Sequence, residues 1–195
     1  MNLHDHLDDL QIQLLNRRIV SLEEDVDYAM SAYVHEVFLR LIAAGCPDVF
    51  ILFNSTGGSV TFGGSIYDCI RAYPGKTTGV VVRQALSVAA IILQACDYRV
   101  ALPHSSLLIH HVSQQGNVSL DTLASGERMN RMISGLEEAQ RDHYNILSER
   151  TGKHPDEIRA RCEKDTKMAA GEALEFGLID KVIERLEDLE IGQVE

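Results

Sequence analysis

The chain has 195 residues, of which 45% are hydrophobic and 24% charged, a composition typical of a soluble globular protein with a single domain. Its formal net charge of −11 argues against nucleic acid or an anionic membrane surface as a partner, because both attract clustered Lys and Arg. No apolar run reaches the roughly 18 residues of a membrane-spanning helix, and the polar segment Met1–Asp9 is unlike a signal peptide, so we expect one cytoplasmic domain over residues 1–195.

The first half of the chain predicts alternating helices and strands. Ser21 followed by Glu24 predicts a capping box, behind which apolar residues recur at helical spacing as far as Gly45. Further along, the pattern predicts a buried strand over Val49–Phe53, a loop over Asn54–Gly58, a helix ending before Pro74, a buried strand over Thr78–Val82, a turn over Arg83–Leu86, and a helix of small residues from Ser87 to Ala95.

The second half continues in the same way. It predicts strands over Tyr98–Leu102 and Leu107–His110, a polar loop over Gln114–Asn117, a long helical stretch from about Leu120 to Arg150, a helix opened by Pro155, a short helix over Ala173–Gly177 and a strand over Leu178–Ile183. Alternation of strand and helix favours an α/β fold with largely parallel pairing. The four cysteines are widely spaced without a CxxC pattern, so we expect small buried thiols and neither a metal site nor a disulfide. No cofactor is expected.

Two of the loops that follow predicted strands carry groups suited to acyl transfer. The backbone N–H groups of Gly57-Gly58 can approach a ligand closely and hold an oxyanion, although an isolated Gly-Gly pair more often forms a tight turn. Ser87 stands at the start of a helix, where a hydroxyl is most often an N-cap. The same position sets the N–H of Val88 beside the hydroxyl, which suits a nucleophile with an oxyanion donor.

A third loop begins at His110, after the apolar run Leu107–Ile109. A neutral imidazole near a serine can act as a general base, whereas a histidine at a strand end is often structural. A triad also needs a carboxylate to orient the imidazole. Spacing leaves three residues open for that role, namely Asp156, Asp165 and Asp180.

Four segments in order resemble the ClpP family of serine peptidases over nearly the whole chain, from about Leu10 to Ile183. They are Phe53–Val60, which resembles the family's Asn-Ser-Pro-Gly-Gly loop; Gln84–Ser87, which resembles its nucleophile motif; Ala101–Ser105 with Leu108–His110, which resembles the strand that delivers the catalytic histidine; and Lys164–Asp165 with Met168–Asp180, which resembles the segment carrying the catalytic aspartate.

The resemblance implies a role for each matched residue. Ser87, His110 and Asp165 take the places of the catalytic triad, which selects His110 over His111. The oxyanion donors would be the N–H groups of Gly58 and Val88. Substrate-binding positions fall on three further residues, Gly57, Ser113 and Gln114.

The resemblance also implies the architecture and the assembly. The fold is expected to be the ClpP/crotonase-like spiral of ββα units, with a protruding handle helix within about residues 112–150. Family members form heptameric rings, stacked in pairs around a degradation chamber for peptides or unfolded proteins, and work with an AAA+ unfoldase. The chain begins close to the start of the family's body, so the short N-terminus leaves the docking of an unfoldase open.

This sequence departs from the family pattern at several positions. Thr56 stands for the proline before Gly-Gly and Val88 for the methionine after the serine. The run His111–Gly116 replaces the Gln-Pro and following pair of glycines that clamp substrate. Three alternatives therefore remain: a crotonase-type acyl-CoA enzyme, a catalytically silent ring subunit, and a phage-type maturation peptidase.

Overall fold

The computed structural model describes residues 7–114 and 117–188 of the chain. Part of the segment Met1–Asp9 and two residues of the predicted polar loop, Gln115 and Gly116, lie outside the described residues. The elements in chain order are α1 Asp9–Asn16, β1 Ile19–Val26, α2 Tyr28–Ala43, β2 Val49–Gly58, α3 Val60–Arg71, β3 Thr77–Leu86, α4 Val88–Leu93, β4 Tyr98–Ala101, β5 Ser106–Leu108, α5 Leu120–Ala124, α6 Gly126–Thr151, α7 Pro155–Glu163, β6 Met168–Ala169, α8 Ala170–Phe176, β7 Lys181–Val182 and a final 3₁₀ turn over Leu186–Asp188.

The seven strands of the described residues form one mixed sheet around the long central strand β3. The main path runs β1-β2-β3-β4-β7 with parallel pairing, as the alternation of elements predicted. The first half of β3 pairs with β4 through Thr78–Val81, and its second half pairs with β5 through Gln84–Leu86. Only β6 pairs antiparallel, against β5, within the described ranges. Strand β3 thus extends beyond β4 and ends beside β5.

Burial follows the two periods expected of strands and helices. Alternate residues of β2 are buried, beginning with Val49, Ile51 and Phe53. Helix α2 buries one stripe of apolar side chains, from Val34 and Val37 to Leu41. All six residues of α4 are buried, so this short helix lies wholly inside the core.

A buried charge network fixes the C-terminal segment to β4. Arg99 is 5% exposed and bonds the carboxylate of Asp180, the side chain of Gln94 and the carbonyl of Gly177. Burial works to raise the pKa of Asp180, but the hydrogen bonds and charge of Arg99 outweigh it and lower that pKa.

The structure corrects several predicted elements. Ser21 and Glu24 belong to strand β1, and helix α2 begins instead after Asp27, whose carboxylate accepts from the N–H of Met30. The predicted loop after Phe53 and turn after Val82 are continuations of β2 and β3. The long helical stretch divides at Ser125, which caps α6 by accepting from the N–H of Arg128. No helix in the described ranges is long and apolar enough to cross a membrane.

Candidate active site

Ser87 occupies a strained turn between β3 and α4. Its backbone angles are φ 58° and ψ −129°, a region that non-glycine residues rarely adopt. Although Ser87 stands at the N-cap position, its side chain makes no capping hydrogen bond. The capping role that local sequence favoured is therefore wrong, and the hydroxyl is available to another partner.

That partner is His110, which follows β5. Leu86 and Leu108 are paired across β3 and β5, and the Ser87 N–H donates to the Leu108 carbonyl at 2.9 Å. This register brings the Nε2 atom of His110 to 2.7 Å from the Oγ atom of Ser87. A hydroxyl and an imidazole nitrogen at that distance form the hydrogen-bonded pair that nucleophilic catalysis requires.

The Gly57-Gly58 loop closes on the same turn from β2. Gly57 has φ 92°, and a Cβ atom there would lie 2.6 Å from the Leu86 carbonyl oxygen and 2.7 Å from the Ser87 Cβ. Only glycine allows this approach. Ser55 fixes the loop from beneath, because its hydroxyl donates to the Glu24 carbonyl and accepts from the Gly57 N–H at 3.1 Å.

Val88 begins helix α4 directly after Ser87, and its side chain is 1% exposed. The first N–H groups of a helix have no acceptor within the helix. A Cβ atom on Gly57 would lie 3.2 Å from the Val88 nitrogen, so the glycine loop and the start of α4 are in close contact. The glycine loop and the start of α4 thus lie against each other beside Ser87.

The pair lies at the end of an open groove. A cavity of about 20 Å³ beside Ser87 and His110 is also bounded by Gly58, Val60 and His143. A groove of about 570 Å³ continues from it, and both share Gly58, Val60, Val112 and Ser113 as walls. The far wall of the groove is α6, through Arg131, Met132, Gly135, Leu136 and Ala139.

The three predicted substrate-binding residues occupy different places. Ser113 and Gln114 are exposed and line the groove. Gly57 is buried against Ser87 instead, where its role is to permit the close approach of two backbone segments.

Asp165 is not joined to His110 by a hydrogen bond among the described residues. It is exposed, follows α7 with φ 44°, and donates its N–H to the Cys162 carbonyl at 3.2 Å. The other two aspartates that spacing left open are occupied elsewhere. Asp156 is exposed at the start of α7, next to His154, and Asp180 pairs with Arg99.

His143 is a polar member of the cavity wall that sequence analysis missed. Burial lowers its pKa to about 4; nearby Asp142 opposes the shift and His110 adds to it. It is therefore neutral at pH 7 and places no positive charge beside His110. The sequence did contain a signal for a buried histidine, since His143 lies four residues before Leu147 on the face where α6 meets the core.

This combination of a strained serine turn, an imidazole in hydrogen-bond contact and a groove that opens onto both is chemically suited to nucleophilic attack by the serine hydroxyl. A family model described as Clp protease matches residues 3–186, so the chain belongs to the Clp protease family. Membership implies a peptidase that acts on peptides as an oligomer.

Proposed function

We propose that this protein is a serine endopeptidase in which Ser87 is the nucleophile, His110 the general base and Asp165 the residue that orients His110. The observation that carries the proposal is the 2.7 Å hydrogen bond between Ser87 Oγ and His110 Nε2. The strained turn at Ser87 also supports the proposal. Ser87 makes no capping hydrogen bond and holds a rare backbone conformation, and such strain is concentrated at active sites.

The proposed reaction is acyl transfer in two halves. His110 takes the proton of Ser87 as the oxygen attacks a peptide carbonyl, and then passes it to the leaving amine. The N–H groups of Gly58 and Val88 donate to the oxyanion that forms. Water attacks the resulting ester with His110 again as base, which releases the carboxyl product and restores the serine.

The register of the sheet supports the role of Asp165. In the antiparallel pair of β5 and β6, Ser106 lies opposite Ala169 and Leu107 opposite Met168. Continuing that ladder by three residues would set His110 opposite Asp165. Residues directly opposite in an antiparallel pair point to the same face with Cβ atoms about 4.5–5.5 Å apart. A small extension of this ladder would thus give the imidazole its carboxylate.

We further propose that the substrate is an extended peptide or an unfolded protein, held in the groove between α6 and the segment Val112–Gln114. The chain would form the spiral of ββα units of its family, with α6 as the handle. Heptameric rings stacked in pairs would enclose the active sites, and an AAA+ unfoldase would supply unfolded chains. Measuring the mass of the native particle tests the assembly.

The central test is Ser87→Ala in the full-length protein. Hydrolysis of short fluorogenic peptides should fall by about 10⁴-fold or more, and covalent labelling by a fluorophosphonate should disappear. Ser134→Ala is the matched control, because Ser134 is exposed on α6 and should leave both readouts unchanged. Labelling of the Ser87→Ala protein at full stoichiometry would refute the assignment.

A further inference from the structure

His110 lies just beyond the part of its strand that sheet hydrogen bonds hold. Strand β5 ends at Leu108, and residues 109–114 belong to no helix or strand. Yet the imidazole must remain within hydrogen-bond distance of Ser87, and a displacement of about 1 Å can cost about 10²-fold in rate. The main chain around His110 therefore needs support from outside the sheet.

One turn of α6 provides contacts to the two residues that follow His110. The Oε1 atom of Gln140 accepts from the Val112 N–H at 2.6 Å. The Tyr144 hydroxyl shares a 2.7 Å hydrogen bond with Nδ1 of His111, and the two rings meet edge to face. Because the two α6 residues are four positions apart, their side chains leave the helix on the same face.

The choice of glutamine at position 140 is informative. Its Nε2 atom is buried and has no hydrogen-bond partner among the described residues, which costs stability. An apolar side chain would avoid that cost. The gain that offsets it is the bond from Oε1 to Val112, which satisfies a backbone N–H that the sheet does not.

We propose that Gln140 and Tyr144 are positioning residues that hold His110 against Ser87 by fixing Val112 and His111. The inference rests on the proposed function, since the hydrogen bond it protects is the one between nucleophile and base. Neither residue needs to touch the substrate or a reacting atom. They act on the rate through the two residues that anchor the histidine.

The test compares two substitutions at each position in the full chain. Gln140→Leu should lower kcat about tenfold and leave KM within about twofold, while Gln140→Glu, which keeps an acceptor oxygen, should recover most of kcat. Tyr144→Phe should lower kcat about threefold, because it removes one hydrogen bond and keeps the ring. The rate of fluorophosphonate labelling at Ser87 should fall in proportion to kcat.

Two matched controls separate positioning from general loss of stability. Glu138→Leu places leucine on an exposed face of the same helix and should leave kcat unchanged. Tyr73→Phe removes a hydroxyl that donates to the Pro47 carbonyl far from the groove, so it should lower Tm without changing kcat. If Gln140→Leu does not fold, the kcat and labelling rate of Tyr144→Phe are compared with those of Gln140→Glu and the wild-type protein.

A structural readout decides the inference independently of peptidase activity. In crystals of Gln140→Leu, the Nε2–Oγ distance between His110 and Ser87 should lengthen beyond about 3.5 Å, the limit of a hydrogen bond. An unchanged distance, or wild-type kcat and labelling rate in Gln140→Leu, would overturn it. Absence of hydrolysis and labelling in the wild-type protein would instead refute the proposed function.

Discussion

The Ser87–His110 pair and the segment around Asp165 are built in opposite ways. Ser87 and His110 follow two paired parallel strands, and a backbone hydrogen bond from Ser87 to Leu108 ties the strand ends together. Asp165 follows the end of α7 in an exposed turn and precedes a strand of only two residues. The proposed nucleophile and base are thus placed by the pairing of β3 with β5, with further support for His110 from α6, whereas the proposed third member depends on a short connection.

The two regions differ in how much of the fold must change before a proposed catalytic residue moves. Moving Ser87 would require shifting β3 against β5 inside the core, and moving His110 would require breaking the contacts of α6 with Val112 and His111. Moving Asp165 requires only a change in the few residues between α7 and β6. We therefore expect that contacts of the connection between α7 and β6, which carries Asp165, can change the activity more easily than contacts of β3 or β5.

Among the substitutions that test this contrast, the largest expected effect comes from removing the negative charge of Asp165. Asp165→Asn should lower kcat by about 10³- to 10⁴-fold, because the amide no longer holds the imidazole in the correct tautomer. The double variant with His110→Ala should be no slower than His110→Ala alone, since members of a triad act as a unit. Steady-state kinetics on a fluorogenic peptide measure both.

Asp156→Asn is the control for that experiment, as its carboxylate is exposed at the start of α7 and should not affect the rate. Full activity in Asp165→Asn would contradict the proposed role of Asp165. It would mean that Asp165 remains exposed during catalysis and takes no part in the reaction.

A smaller effect is expected from adding a methyl group to the glycine that packs against Ser87. Gly57→Ala should lower kcat about 10²-fold, because the new methyl group would displace Leu86 and Ser87 by a fraction of an ångström or more. Gly64→Ala is the matched control, since nothing lies within 4 Å of a Cβ atom at that helical position. Equal kinetics in the two variants would show that the serine turn is less rigid than the sheet suggests.

The smallest expected effect concerns stability and pH. The pKa of His143 is lowered from 6.5 to about 4 in the folded protein, so the unfolded chain binds more protons between these values. The free energy of unfolding should therefore fall as pH decreases through 6.5, with a loss of about 2 kcal/mol at pH 5 from this residue.

Urea unfolding of the wild-type protein and of His143→Leu at pH 7.5 and pH 5 measures this contribution. The variant should lose less stability on acidification, by about the same 2 kcal/mol. If both proteins lose the same free energy of unfolding between pH 7.5 and pH 5, His143 is solvated in the folded protein and its pKa is not lowered by burial.

The sequence predicted the class of fold well because its signals are local. Apolar runs and the glycines and prolines between them located β2, β3, β4 and the helix after Pro155. Strand β1 was missed since its outer residues, Glu23 to Asp25, are exposed, and the spacing of Ser21 and Glu24 imitates a helix start. A pattern of four residues cannot reveal that the segment pairs with a strand 30 residues later.

The sequence predicted Ser87 and His110, which the structure brings together, but it did not predict their geometry. Local rules favoured Ser87 as a helix cap, and only the register between β3 and β5 directs its hydroxyl to His110. Gln140 and His143 were missed because the face that α6 turns toward the cavity is set by tertiary packing. Their polar character at core-facing positions was the available signal.

The backbone at Ser87 has a consequence for the choice of an inactive form. A residue with φ 58° and ψ −129° holds about 1–3 kcal/mol of conformational strain, from which glycine alone is largely exempt. Ser87→Ala retains that strain and so preserves the shape of the turn, whereas Ser87→Gly would release it. The native fold is thus kept slightly less stable by the residue proposed to give it an activity, and an inactive form meant to capture bound peptide should carry alanine.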